Sequence, residues 1–236
     1  MQKIPFLILF LLCLNSVVYS QKKAEDSLKT IIKNKEKTDT IYVLALAELA
    51  NVSRYSQPDS SVVWAKQALE SAKSLNYQIA IGRSARVIGV YYRNKGNLIE
   101  AVNYFNVAVD ALQKTNDLEG LGFTYNSLAA LYKNQSESSL AIEYCQKAIN
   151  IFEKINNKKG IAYAYNNLAD IYKEQSNFTT ALAYAKKSLV LSEIVKDKQG
   201  IFYSNFNVAE IYQQQKQYDK ALSHQLTNLQ DRKSVV

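Results

Sequence analysis

Residues 120–159 read GLGFTYNSLAALYKNQSESSLAIEYCQKAINIFEKINNKK, and residues 160–199 repeat the pattern as GIAYAYNNLADIYKEQSNFTTALAYAKKSLVLSEIVKDKQ. Gly200 opens a further copy, GIFYSNFNVAEIYQQQKQYDKALSHQL, and stepping back by forty gives copies at Ala80 and Thr40. A fixed period of this length signals a repeat array, in which each unit is too small to enclose a core and relies on its neighbours.

Within one copy, Tyr125, Leu128, Ala129 and Tyr132 are spaced i, i+3, i+4, i+7 and share one face of a helix. Tyr165, Leu168, Ala169 and Tyr172 repeat that face. In the second half Ala141, Tyr144, Cys145, Ala148 and Ile149 form another stripe, matched by Ala181, Tyr184, Ala185, Ser188 and Leu189. Polar, turn-forming segments separate the stripes, at Asn134 to Ser139 and Gln175 to Thr179. Each copy is therefore an antiparallel helix hairpin. Small residues recur where helix axes must come close: Gly89, Ala129, Ala169 and Ala209 in the first helix, Ala101, Ala141, Ala181 and Ala221 in the second.

On these residues the unit resembles a tetratricopeptide repeat. The family's large residue, Leu, small residue and Tyr correspond to Tyr125, Leu128, Ala129 and Tyr132. Its Ala, Phe and Ala of the second helix correspond to Ala101, Phe105 and Ala108, with Cys145 and Ala185 in place of Phe in later copies. The resemblance runs from Thr40 to Gln230 and implies an all-α, right-handed superhelical solenoid of antiparallel hairpins. Two features depart from the family: the period is forty rather than thirty-four, and the closing Pro is absent. Six extra residues add about 9 Å of helix, so both helices are expected to be longer.

Five copies are expected, at 40–79, 80–119, 120–159, 160–199 and 200–230. Before them, Lys3 precedes an apolar run from Ile4 to Leu14, and Val18-Tyr19-Ser20 suits a cleavage site, so residues 1–20 read as a secretory signal peptide. The apolar run is shorter than the roughly 20 residues that span a bilayer. Residues 21–39 are expected to cap the array, with Leu28, Ile31 and Ile32 facing it and charges facing water. In the irregular first copy, Tyr55-Ser56-Gln57-Pro58-Asp59-Ser60 makes a turn, with Asp59 or Ser60 as the expected cap of the next helix. The last six residues, 231–236, leave the register and match the translation of GATCGGAAGAGCGTCGTG, the start of a sequencing adapter, so the sequence predicts an artefact there at a truncated end.

Chemistry of an enzymatic kind has little to stand on. His224 is the single histidine, which excludes HExxH, a histidine-containing triad and a multi-histidine metal site within this chain. No GxxxxGK[ST] or GxGxxG string provides a phosphate cradle. Glu143 and Glu153 are expected to face solvent, His224 to pack in the place of an aromatic, and Cys145 to act as a small buried hydrophobe. No cofactor, metal or catalytic residue is expected. The chain carries 29 Lys and Arg against 21 Asp and Glu; without Lys3, Asp231, Arg232 and Lys233 the balance is 26 against 20, a net of +6. Acidic and basic residues alternate along the helices, so nucleic acid is not an expected partner.

The resemblance implies a concave face built from the first helices. The corresponding positions are Arg83, Arg86, Val90 and Arg93; Phe123, Asn126, Ala130 and Lys133; Tyr163, Asn166, Asp170 and Lys173; Tyr203, Phe206, Glu210 and Gln213. Each set steps by three, four and three and shares a helix face. Asn126 and Asn166 with Lys133, Lys173, Arg83, Arg86 and Arg93 would suit a protein or peptide partner, including one with an acidic group or C-terminal carboxylate. The first expectation is an exported, non-enzymatic scaffold on the periplasmic or extracellular side of a bacterial envelope. The alternative rests on a further resemblance, carried by the signal peptide, YxxPDS in the first copy and YNNLADIY: the extracytoplasmic sensory region of bacterial sensor histidine kinases and related regulators.

Overall fold

The computed structural model describes residues 22–36 and 38–233. The signal peptide of residues 1–20 and the last three residues of the adapter-like tail lie outside them. A helix over residues 22–33 (α1) precedes five hairpins: α2 (Thr40–Ser53) with α3 (Pro58–Ser74), α4 (Gln78–Asn94) with α5 (Leu98–Leu112), α6 (Leu118–Asn134) with α7 (Ser138–Lys154), α8 (Lys158–Glu174) with α9 (Phe178–Ile194), and α10 (Lys198–Gln214) with α11 (Tyr218–Lys233). From α4 onward, both first and second helices begin forty residues after their predecessors. Most of these helices have 17 residues, so the period is two such helices and two three-residue turns.

Those turns show how the array manages without a closing proline. Gly96, Ser136, Ser176 and Lys216 take positive φ just after the first helix of each of the last four hairpins. The residue that follows then donates its N–H back to a tyrosine carbonyl: Asn97 to Tyr92, Glu137 to Tyr132, Asn177 to Tyr172 and Gln217 to Tyr212, each at 2.9 Å. This left-handed cap satisfies carbonyls that a helix end would otherwise leave bare and stops the helix at a fixed residue.

Each hairpin packs on the next, and the first helices also touch one another in series (α2 to α4, α4 to α6, α6 to α8, α8 to α10). Among the described residues the second helices make no such contacts with each other. The first helices are thus closer together and lie on the inside of the curve, and the second helices splay outward. The core is continuous from hairpin to hairpin: Ala129, Cys145 and Phe152 share a cluster with Leu168 and Ile171 of the following unit. Phe152 is fully buried between Gly122 and Gly160; a Cβ at Gly122 would stand 2.7 Å from its ring. Aromatic pairs twelve residues apart tie each hairpin at one edge, with Tyr92 stacked on Tyr104, Tyr132 on Tyr144 and Tyr172 on Tyr184, at centroid distances of 5.6, 5.4 and 5.7 Å. His224 completes the series on Tyr212 at 5.9 Å, its Nδ1–H donating to Asn205 Oδ1 at 2.9 Å.

Two local expectations are corrected. Pro58 occupies the first turn of α3 and Gln57 precedes it, so neither Asp59 nor Ser60 is the cap; proline's fixed φ suits that position and needs no N–H there. In α1, Glu25 is buried rather than turned to water: it accepts from Ser53 Oγ at 3.0 Å and Gln57 Nε2 at 3.2 Å. Ile32 packs with Leu46, Ala47 and Ala68. Among the described residues no helix is long and apolar enough to cross a membrane, and no His, Cys, Asp or Glu cluster could hold a metal ion.

Candidate functional site

The inner helices carry the positions singled out in the sequence, and their side chains form a polar ladder from hairpin to hairpin. Arg83 of α4 grips the carboxylate of Asp117, the cap residue of α6, through Nε at 2.7 Å and Nη2 at 3.1 Å. Asp117 also accepts from Gly120 N–H at 3.0 Å. Burial works against ionisation of Asp117, yet Arg83 and that N–H together hold its carboxyl below the usual range, and the bond to Asp117 raises the Arg83 guanidinium. Two repeats later the same geometry recurs with different chemistry. Tyr163 of α8 and Asp197 hold the corresponding positions, with Lys159 3.2 Å from Asp197 Oδ1, and burial followed by that carboxylate pushes the phenol well above its ordinary value.

Further along the same face, cations and carboxylates alternate. Lys133 meets Asp170 at 3.4 Å and Glu174 at 3.8 Å; Lys173 meets Asp170 at 3.0 Å and Glu210 at 2.7 Å. Burial would lower the Lys173 ammonium, but Asp170 and Glu210 outweigh it and the pKa is raised. These lysines are half-buried and already neutralised, so they cross-link successive inner helices.

The two asparagines differ. Asn126 accepts from Asn167 Nδ2 at 2.7 Å and remains half-buried. Asn166 is only 9% exposed and is held on both sides of its amide: Nδ2 donates to Ser204 Oγ at 3.2 Å, and Oδ1 accepts from Ser204 Oγ at 3.3 Å and Asn207 Nδ2 at 3.4 Å. Arg86 is likewise 9% exposed, with Nη2 donating to Asn51 Oδ1 at 2.9 Å and its Cζ 6.0 Å from the Phe123 ring centroid. Phe123 in turn meets Tyr163 at 6.3 Å. Arg93 is half-buried beside Asn94. At the C-terminal end the face opens, with Tyr203 48% and Phe206 47% exposed.

The sequence reading placed Tyr55 only in a turn and did not include Asn51 and Arg54, and all three sit at the N-terminal end of this face. In copy one the positions corresponding to the other sets are Val43, Leu46, Ala50 and Ser53, all buried, the last two contacts to α1 running through Leu46 and Ser53. The polar groups therefore appear one register step away, at Glu48, Asn51 and Arg54. The forty-residue register alone does not find them, because the positions it gives in copy one are covered by core and α1.

This is an all-α helical-repeat solenoid, and residues 120–193 match the family model described as Tetratricopeptide repeat. No curated protein matches the sequence. Among solved structures, a Rap protein complexed with Competence and Sporulation Factor aligns at 16% identity and TM-score 0.74, over all of this chain and 68% of the other. BtubC (BKLC) from P. vanneervenii aligns at 16% identity and TM-score 0.64, over 94% of this chain and 91% of the other. Aspartyl phosphate phosphatase F from Bacillus subtilis aligns at 18% identity and TM-score 0.61, over 92% of this chain and 64% of the other. At these identities the likeness is one of fold.

Proposed function

We propose that the chain is a non-enzymatic, exported scaffold whose inner face receives an extended segment of a protein or peptide partner. The observation that carries this reading is the row of inner-helix side chains that changes from a closed, self-paired ladder around Lys133, Asp170 and Lys173 to exposed aromatic groups at Tyr203 and Phe206. Large, half-rigid aromatic side chains left in water on a concave surface are the kind of anchor that interfaces use. The Rap protein complexed with Competence and Sporulation Factor supports a solenoid of this fold taking a partner. Export follows from the signal-peptide character of residues 1–20.

A photo-cross-linking amino acid placed at Phe206 and, separately, at the exposed Ile99 of the outer helix α5 tests the face in the native host envelope. Adducts to a partner from position 206 and none from position 99 are expected. Equal yields, or adducts from position 99 alone, would remove the inner face from consideration.

A further inference from the structure

The N-terminal end of the inner face contrasts with the rest of the ladder. Arg54, Arg86 and Arg93 converge there, and among the described residues none of the three forms an ion pair, whereas Arg83, Lys133 and Lys173 all do. A single neutral oxygen, Asn51 Oδ1, accepts from both Arg54 Nη1 and Arg86 Nη2, at 2.9 Å each. The amide of Asn51 is oriented for this by Glu48, which accepts from Nδ2 at 3.1 Å. Arg54 also lies over the Tyr55 ring, 4.5 Å from its centroid, and Arg93, which donates to Asn94 Oδ1 at 3.1 Å, is near enough for its charge to act on the same residue. Tyr55 itself is 56% exposed and marks the way in. At the base of the cluster, Arg86 is buried and its Nε–H has no acceptor.

A buried guanidinium with an idle donor is costly unless something anionic completes it. The charges are already felt within the cluster. Burial, and after it the neighbouring Arg54, bring the Arg86 guanidinium down to about 10. Burial would raise the Tyr55 phenol, yet Arg54, Arg93 and Arg86 together draw it below its ordinary value. Asp117, which also feels Arg86, is neutralised by Arg83, so three guanidinium groups against Glu48 leave an excess of two positive charges. Arg54 and Arg86 both donate to Asn51 Oδ1, Arg93 donates through Nε and Nη2 to the neutral Asn94 Oδ1, and Arg86 Nε–H is left unused. A planar carboxylate presents two oxygens and one negative charge; a tetrahedral phosphate monoester dianion presents three oxygens and matches the excess of two positive charges.

We propose that Arg54, Arg86, Arg93 and Tyr55 form a binding site for a phosphate monoester group, with Asn51 as the residue that holds two of the guanidiniums in place. The site deepens the reading of the inner face as a partner surface, and rests on it only for a peptide as the carrier of the phosphate.

The experiment follows the arginine Nε–H resonances of the full chain by heteronuclear NMR while inorganic phosphate replaces chloride at constant ionic strength. A saturating shift of the Arg86 signal is expected, weakened about tenfold or more in Arg54→Gln with Arg93→Gln, since both substitutions remove charge-assisted donors. Arg93→Lys, which keeps the charge and loses the fork, should fall between. Circular dichroism melting confirms that each variant is folded, and Tyr55→Phe provides a milder second probe. A drift that does not saturate, or acetate binding as tightly as phosphate, would overturn the site. Tighter binding of the capped tripeptide Gly-phosphoserine-Gly than of inorganic phosphate supports a peptide carrier, and equal affinity overturns it. Phosphate saturation without cross-links at position 206 upholds the anion site and rejects the partner face; cross-links without saturation do the reverse.

Discussion

The ring of Phe105 lies against the bare α-carbon of Gly89: a methyl group added there would stand 2.7 Å from two ring carbons. The corresponding pair in the next hairpin is Ala129 with Cys145, both fully buried in one cluster, and in the one after it Ala169 with Ala185. At this helix crossing a bare α-carbon thus meets a large partner and a methyl meets a small one. Gly89→Ala alone is expected to cost about 1 to 3 kcal/mol through overpacking, even though alanine is the better helix former. Adding Phe105→Cys, which recreates the neighbouring pair, should return at least half of that loss. Thermal melts of the two single variants and the double variant give the coupling; additive losses would show that the two positions do not share one space.

Much of the fold can be read in the chain because the repeat imposes the same pattern several times over. Leu128 and Leu168, or Ala141 and Ala181, fix helix faces that a single copy would leave ambiguous. The three-residue turns were less legible: Ser136, Asn156, Ser176, Lys196 and Lys216 take positive φ without glycine, so their residue types do not announce the cap. The inner face was legible as a register but not as chemistry. Which cation meets which carboxylate depends on how far one hairpin rotates on the next, and Lys133 to Asp170 or Arg83 to Asp117 spans more than thirty residues. Glu25 and Arg54 were hidden for a related reason: the capping helix displaces the register of the first copy, and only tertiary packing fixes by how much.

Asn166 makes the distinction between a ligand-facing and a structural polar group measurable. Its amide is engaged with Ser204 and Asn207, while Ser204 also meets Ser188 at 2.9 Å. Asn166→Ala is expected to lower stability by about 1 to 3 kcal/mol because it strands buried partners, and Asn126→Ala, on a half-buried residue, by less than 1 kcal/mol. Urea titration of both variants decides the matter. Equal, negligible losses would restore Asn166 to the role of a free groove residue.

Cys145 gives the alkaline limit of stability a specific cause. Burial pushes its thiol up to about 12 from an ordinary 9.0. Because the folded-state pKa is raised, the contribution is fully present below pH 9.0 and is lost as pH rises toward 12, at up to about 1.4 kcal/mol per unit. Cys145→Ala, which copies Ala185, should remove that component of the decline, as seen in the difference between the two stability curves. In a Cys13→Ser background, alkylation by iodoacetamide should be negligible until the protein unfolds. Rapid native-state labelling would contradict the packing described.

Two serines on α9 should respond to the same substitution with opposite signs. Ser192 occupies the register position held by Leu112 and Phe152 in the preceding hairpins; it is fully buried, and its hydroxyl has no hydrogen-bond partner. Ser188, one turn earlier, donates to the carbonyl of Ala162 at 2.7 Å and meets Ser204. Removing an unpartnered buried hydroxyl relieves a desolvation cost, and removing a partnered one creates such a cost. Ser192→Ala is therefore expected to raise the melting temperature or leave it unchanged, and Ser188→Ala to lower stability by about 1 to 2 kcal/mol. Since Gly200 faces Ser192 across the α9 to α10 contact, the gain should be largest in hydrogen exchange of α10. A destabilising Ser192→Ala would mean that its hydroxyl is satisfied in solution, most simply by a trapped water.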